Sequence, residues 1–125
     1  MEKQKAVERR KSIRVHLASL VLIRCDIHAN ISNKEKLEFH THTEEISEGG
    51  IRVILDRELR SPDPVELRLY MTGSVAPLEC KGQIVWSKIA SPEGVEPDLY
   101  ATGIKFVGLN SDCREAIGKI ISCFK

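Results

Sequence analysis

Short runs of alternating apolar and polar residues constrain the fold of this chain more than any other feature of its sequence. The clearest run is VELRLYM at residues 65–71, where Val, Leu, Leu and Met occupy every second position. A period of two is typical of a β-strand with one face in a core. Similar runs alternate with segments rich in Gly, Pro, Asp and Ser, such as RSPDP and ASPEGVEPD. The pattern therefore predicts a protein of short strands joined by turns.

Six strands are predicted, and the first has two largely apolar faces. They cover residues 15–24, 37–44, 51–55, 65–71, 78–86 and about 99–107. A polar turn over Asn30–Lys36 is expected between the first two strands. Because no helical segment separates the strands, the sequence favours a sandwich or a small barrel over a parallel βαβ sheet.

Only the end of the chain has helical spacing. Asn110 or Ser111 is the expected N-cap, and Asp112 follows it near the positive end of the helix dipole. We expect the apolar stripe of this helix to cover one end or flank of the β structure. The stripe consists of Ile117, Ile120, Ile121 and Phe124.

The composition of the 125-residue chain, with 42% hydrophobic and 30% charged residues, fits one domain. The longest apolar run, around residues 17–23, is far shorter than the ~20 residues of a membrane-spanning helix. The charged start lacks the apolar segment of a secretory signal. We therefore expect a cytoplasmic domain without a membrane span. The cysteines form no CxxC pair, which favours reduced thiols over a disulfide framework: Cys25, Cys80, Cys113 and Cys123.

Positive charge is concentrated at the start of the chain. Residues 1–14 carry a net charge of +4, whereas the rest of the chain carries −3. Proteins that follow long nucleic acids spread basic charge over a face, whereas a focused cluster suits a compact anion. The predicted organisation is a basic arm over residues 1–14 and a single barrel domain with its helix over residues 15–125.

The stretch ERRKSIRV contains an Arg-x-x-x-Arg pair, Arg10 and Arg14. Residues four apart lie on one side of the chain, so both guanidinium groups can converge on one ligand. A guanidinium can bind a phosphate with two hydrogen bonds, contact guanine O6 and N7, or stack on a base. The alternative is a solvated basic tail, which is the usual fate of a charge run.

A second stretch, EISEGG, lies about thirty residues downstream. Glu45 offers two acceptors for an N–H edge, and the Ser47 hydroxyl can donate and accept. Gly49 and Gly50 permit positive φ and a close approach of the backbone to a ligand. The alternative is an ordinary hairpin or bulge between the second and third strands.

Together the two stretches resemble the PilZ domain, a bacterial receptor module for cyclic diguanylate (cyclic di-GMP). Its signature is RxxxR before the first strand and [D/N]xSxxG some thirty residues later. Arg10 and Arg14 match the first motif, and Ser47 and Gly50 match the second. VELRLYM, GQIVW and GIKFVGL, followed by the final helix, are similar to the strand order of the family, so the resemblance covers most of the chain.

The resemblance implies a mainly β fold, a six-stranded antiparallel PilZ-type β-barrel with a C-terminal α-helix, and no catalysis. It implies that cyclic di-GMP binds outside the barrel. Because the arm carries a net charge of +4 and repels itself, we expect a dianionic ligand to order it, and we expect the signal to pass to a downstream protein. Arg10 and Arg14 would contact phosphate and guanine, while Arg9 would help to hold a second ligand molecule. Ser47 would hydrogen-bond the ligand, and Gly50 would allow its approach. The implied ligand-binding residues are Arg9, Arg10, Arg14, Glu45, Ser47, Gly49 and Gly50.

Glu45 departs from the signature, which has Asp or Asn at this position. Its carboxylate stands one methylene farther out, and a lost charge-assisted hydrogen bond costs about 1.5–3 kcal/mol. The alternative function is therefore a PilZ-fold protein–protein adaptor that has lost or weakened nucleotide binding.

Other functions have weaker support. Binding of single-stranded nucleic acid needs exposed aromatics along a basic groove, whereas the chain has six aromatic residues and an acidic body, so no nucleic-acid polymer is expected. His40 and His42 share a strand face without further residues at ligand spacing, so no metal is expected. Trp86 is expected in the core or at a barrel end, with a stacking platform as the alternative. No catalytic or nucleotide-loop motif occurs, so no enzyme is predicted.

Overall fold

The computed structural model describes residues 14–30, 33–71 and 76–123. Within those residues the chain forms six strands and one helix. The strands pair antiparallel in the order β1-β2-β3-β6-β5-β4, and β4 returns to β1 to close a barrel. The predicted six-stranded β-barrel with a C-terminal helix is confirmed. Its elements are β1 (Leu20–Asn30), β2 (Asn33–Ile46), β3 (Gly50–Leu55), β4 (Pro64–Tyr70), β5 (Leu78–Ile89), β6 (Tyr100–Val107) and α1 (Ser111–Cys123).

The alternation seen in the sequence fills the barrel. On β3 the side chains of Ile51, Val53 and Leu55 are buried, and those between them are only partly covered. On β4 the buried residues are Val65, Leu67 and Leu69. Each strand therefore places one face in the shared core, and removal of that apolar surface from water is the main stabilising contribution.

The first strand begins later than predicted. Val15 forms an isolated bridge with Ile46, and β1 starts at Leu20. Between them the side chain of Thr43 interrupts the regular ladder, because its hydroxyl oxygen accepts a hydrogen bond from Ser19 N at 2.9 Å and donates one to Leu17 O. The start predicted at Val15 is therefore wrong, although Val15 is buried as its apolar character requires.

The bounds of the predicted polar turn over Asn30–Lys36 are also wrong, because β1 ends at Asn30 and β2 begins at Asn33, so the connection between the strands is shorter than predicted. The backbone pairing continues through Asp26 with Lys36 and Ile27 with Glu35. A hairpin ladder depends on main-chain hydrogen bonds, so a polar sequence can extend it beyond the core.

The final helix covers the barrel as expected. Asn110 is the N-cap, since its side-chain oxygen accepts a hydrogen bond from Cys113 N at 2.8 Å. Ile117 and Ile121 are buried, and Ile120 is partly buried against the core; Phe124 lies outside the described residues. The Cys113 thiol contacts Glu79 O at 3.6 Å and so joins α1 to β5. Burial, together with the thiol of Cys113, raises the pKa of neighbouring Cys80 to about 12.

Candidate functional site

The backbone that leads into β1 is fixed beside the turn between β2 and β3. Val15 N donates to Ile46 O and Ile46 N donates to Val15 O, each at 2.9 Å, and both side chains are buried. In an antiparallel bridge, the residue before Val15 lies opposite the residue after Ile46. Arg14 therefore lies beside Ser47, although the two motifs are far apart in the sequence.

Arg14 and Glu45 form an ion pair across this junction. Arg14 Nη1 lies 3.6 Å from Glu45 Oε1, and the side chains are 53% and 18% exposed. The cation thus projects from the surface, whereas the carboxylate is largely covered. An arginine side chain that is half exposed keeps donors available for an anionic ligand.

Ser47 organises the turn between β2 and β3. Its hydroxyl oxygen accepts hydrogen bonds from Gly49 N and Gly50 N at 3.2 Å each, and Ser47 N donates to Gly50 O at 2.9 Å. Among the described residues, the hydroxyl proton has one contact, a long one of 3.4 Å to Gly50 O. The turn therefore uses Ser47 mainly as an acceptor, and its O–H group is the part that remains for a ligand.

The two glycines of the turn lie against β6 rather than in left-handed conformations. Phe106 N donates to Gly49 O at 2.8 Å. A Cβ atom on Gly50 would stand 2.1 Å from Ile104 O, so the strand pairing itself requires glycine there. Positive φ among the described residues occurs at Gly94 and Gly108, so the expectation that these two glycines use positive φ is not met.

The structure thus brings together five of the seven predicted site residues, which are Arg14, Glu45, Ser47, Gly49 and Gly50. Arg9 and Arg10 lie outside the described residues, so their predicted roles remain predictions. We predicted that the basic segment before β1 is held beside EISEGG. Within the described residues this prediction rests on Arg14, because the neighbouring Val15–Ile46 bridge fixes its backbone.

Sequence reasoning missed a row of aligned residues on neighbouring strands that continues the site around the outside of the barrel. Glu45 pairs in register with Arg52 of β3, Arg52 pairs with Gly103 of β6, and Gly103 pairs with Trp86 of β5. Arg52 projects outward, because its neighbours Ile51 and Val53 are buried. The alternation of apolar residues in β3 already predicts that Arg52 faces outward. The register that aligns Arg52 with Glu45 and Gly103 depends on the folded barrel and cannot be read from one strand.

Trp86 lies on the outer surface, over the backbone of Gly103. A Cβ atom on Gly103 would stand 2.4 Å from the indole nitrogen, so this glycine makes room for the ring. The Arg52 guanidinium lies 5.8 Å and the Lys88 ammonium 5.6 Å from the ring centroid. The prediction of a core or barrel-end tryptophan is wrong, because a register shift between Ile84 and Trp86 breaks the alternation and turns the ring outward.

The two histidines of β2 lie away from this site. His40 and His42 are exposed, on the outward face opposite Leu22 and Leu20 of β1. Over the described ranges, the structure brings no group of three potential metal ligands together. The same ranges contain no helix long and apolar enough to cross a membrane.

Comparison with known proteins agrees with this fold. The model of one protein family, described as PilZ domain, matches residues 8–122. The chain belongs to the PilZ domain family. The match includes both predicted motifs and extends into α1. A search of curated protein sequences finds no significant match.

Several solved structures share the fold at low sequence identity. The inhibitor of motility MotI/DgrA from Bacillus subtilis is 16% identical with a TM-score of 0.70, and the match covers 92% of this chain and 50% of that one. The PilZ domain with c-di-GMP of YcgR from Escherichia coli is 12% identical with a TM-score of 0.65, covering 93% and 91%. The MrkH–c-di-GMP complex of K. pneumonia is 16% identical with a TM-score of 0.69, covering 92% and 51%. The chain thus spans about half the length of MotI/DgrA and MrkH.

Proposed function

We propose that this PilZ domain is a receptor for cyclic di-GMP, which binds outside the barrel between the basic segment before β1 and the Ser47–Gly50 turn. The observation that carries the proposal is the Val15–Ile46 bridge, which fixes Arg14 beside Glu45 and Ser47. The ligand is a compact phosphate dianion with two guanines. Such a ligand requires cations for its phosphates and hydrogen-bonding groups for its base edges.

The proposed contacts follow from the free donors. The Arg14 guanidinium and the Ser47 hydroxyl proton bind phosphate or guanine acceptors. Arg10 joins Arg14 in this role, and Arg9 helps to hold a second ligand molecule. The similar structures of the YcgR PilZ domain with c-di-GMP and of the MrkH–c-di-GMP complex support the ligand class. No catalytic step is part of the proposal.

The arm provides the proposed signal. Residues 1–14 carry a net charge of +4 and therefore repel one another, and a dianion reduces that repulsion when it binds. Binding then holds the arm against the barrel, an order–disorder transition of a kind that many switches use. A cytoplasmic location and a downstream protein partner are further parts of this proposal.

Titration calorimetry of cyclic di-GMP with the wild-type chain and Arg14→Ala tests the proposal. We expect saturable binding by the wild type and binding weakened about ten- to hundredfold in the variant, because a hydrogen bond to a charged group is worth about 1.5–3 kcal/mol. Arg24→Ala is the matched control, since Arg24 of β1 pairs with Glu38 of β2 at 2.7 Å, away from the Ser47–Gly50 turn. Cyclic di-AMP tests whether guanine is read. Equal affinity of Arg14→Ala and the wild type would rule out this site.

The second candidate function is a PilZ-fold adaptor without nucleotide binding. The Arg14–Glu45 ion pair and the internal hydrogen bonds of Ser47 favour it, because both motifs are already engaged within the protein. Absence of heat in the wild-type titration at tens of micromolar protein would favour this alternative. Glu45→Asp then tests whether the signature carboxylate restores binding.

A further inference from the structure

Glu45 is held in a position that leaves it little freedom. Its side chain is only 18% exposed, and the next residue, Ile46, is fixed by both hydrogen bonds of the Val15 bridge. Its cross-strand neighbour Arg52 contacts Glu44 at 3.2 Å and the Trp86 ring. Within the described part of the chain, Glu45 forms its ion pair with Arg14, at 3.6 Å.

From this geometry we infer that Glu45 is a built-in competitor of the ligand: its carboxylate occupies Arg14 in the free protein and lowers the affinity of the site for phosphate. The inference rests on the proposed function and names what sets the affinity of that same site. It differs from the role that the motif implies, in which the residue at this position accepts hydrogen bonds from guanine.

Two electrostatic effects act in the same direction. A phosphate oxygen that binds Arg14 competes with the Glu45 carboxylate for the guanidinium, so the free energy of ligand binding is reduced by the part of the ion pair that is lost. The largely covered carboxylate of Glu45 also stays near the bound phosphate. The two groups are both negative, so they repel each other at this short distance. The signature has Asp or Asn at this position, whereas the glutamate of this chain carries its carboxylate one methylene farther out, where it contacts Arg14.

The substitution Glu45→Gln separates the two roles by the sign of its effect. Glutamine keeps the shape of the side chain but loses the negative charge, which releases Arg14 and removes the repulsion. We therefore expect cyclic di-GMP to bind about two- to fivefold more tightly, the range that exposed ion pairs provide. If Glu45 instead accepts from a guanine edge, glutamine loses one acceptor and presents an NH₂ group to N–H donors, so binding weakens.

The experiment is calorimetric titration of cyclic di-GMP into the wild-type chain, Glu45→Gln and Glu38→Gln. Glu38→Gln is the matched control, because it removes the same charge and an Arg–Glu pair from the same strand, about 23 Å along β2 by the usual rise per residue. Titrations at about 50 mM and 500 mM salt add a second readout. The gain in affinity of Glu45→Gln over the wild type should be smaller at high salt, since screening weakens the Arg14–Glu45 ion pair that the substitution removes. Equal melting temperatures of wild type and variant would show that the change in affinity does not arise from folding.

Each outcome separates this inference from the proposed function. Tighter binding by Glu45→Gln alone supports the inference, as does binding by Glu45→Gln when the wild type does not bind. Weaker binding by Glu45→Gln overturns the inference and leaves the receptor function intact. Equal tightening by Glu45→Gln and Glu38→Gln attributes the effect to net charge and also overturns it. Absence of binding by all three proteins overturns both the inference and the proposed function.

Discussion

Gly50 has a structural role that the motif does not reveal. It matches the glycine of the signature, where the expected reason for glycine is access for the ligand. In the barrel it opposes Lys105 of β6, and a Cβ atom would stand 2.1 Å from Ile104 O and 2.9 Å from Lys105 Cα. The backbone of β6 cannot yield without loss of its pairing, so glycine is required whether or not a ligand binds.

Gly50→Ala should therefore destabilise the barrel by about 1–3 kcal/mol, the range expected of a strained substitution in a packed region. Thermal unfolding with and without cyclic di-GMP measures the change. Gly118→Ala is the matched control, because its nearest neighbour is Glu48 Oε1 at 3.8 Å and alanine favours a helix by about 1 kcal/mol over glycine. The control should be neutral or stabilised, and a stable Gly50→Ala variant would contradict the steric argument.

The same residue shows why part of the site could not be predicted. The sequence identifies Ser47, Gly49 and Gly50 as a turn and Arg14 as a cation near a strand entrance, and these assignments hold. The reasons for the glycines depend on β6, which is more than fifty residues away in the chain. No local pattern specifies that contact, since it arises from the order in which the strands pair.

At the level of elements, alternation predicts strands well until a register shift occurs. On β4 and β3 every second residue is buried as predicted. On β5 the alternation holds through Ile84, and the shift between Ile84 and Trp86 then turns the tryptophan to the outer surface. A bulge moves the following side chains to the other face, and nothing in GQIVW marks it. The sequence analysis therefore did not predict the outer surface on which Arg52 and Lys88 contact the Trp86 ring.

The turn between β2 and β3 makes a prediction of its own. In Ser47→Ala the amides of Gly49 and Gly50 lose their common acceptor, so we expect a loss of about 1 kcal/mol in stability and weaker ligand binding. Ser47→Asn can accept the same amide hydrogen bonds, as Asn does in such turns, but its NH₂ donor stands one bond farther from the backbone than the hydroxyl. Chemical denaturation should show recovery of stability in Ser47→Asn, and titration should show no recovery of affinity. If affinity recovers together with stability, the ligand does not require a donor at the position of the hydroxyl.

The whole barrel connects the two motifs through its closure. β1 pairs with both β2 and β4, so the segment before β1 has a defined position relative to the rest of the barrel. That segment meets the end of β2 at the Val15–Ile46 bridge, and the Ser47–Gly50 turn begins immediately after it. The ligand-binding proposal is therefore a consequence of topology, because another strand order would separate Arg14 from Ser47.

The position of this junction predicts where ligand binding changes protection across the molecule. The arm proposal requires that peptides covering residues 3–14 exchange their amide hydrogens more slowly with saturating cyclic di-GMP than without it, because phosphate neutralises the arm and holds it against the barrel. Peptides from α1 serve as an internal reference, since its N-cap and buried face provide stability that is independent of the ligand.

Hydrogen-exchange mass spectrometry on the wild type and Arg14→Ala measures this difference. In the variant the ligand should leave exchange of the arm unchanged at a concentration that saturates the wild type. Equal protection of the wild-type arm in the two states would contradict the switch even if titration confirms binding, because ligand would then occupy an arm that is already in place. A protected turn at residues 47–50 with an unchanged arm would locate the signal in the barrel surface instead.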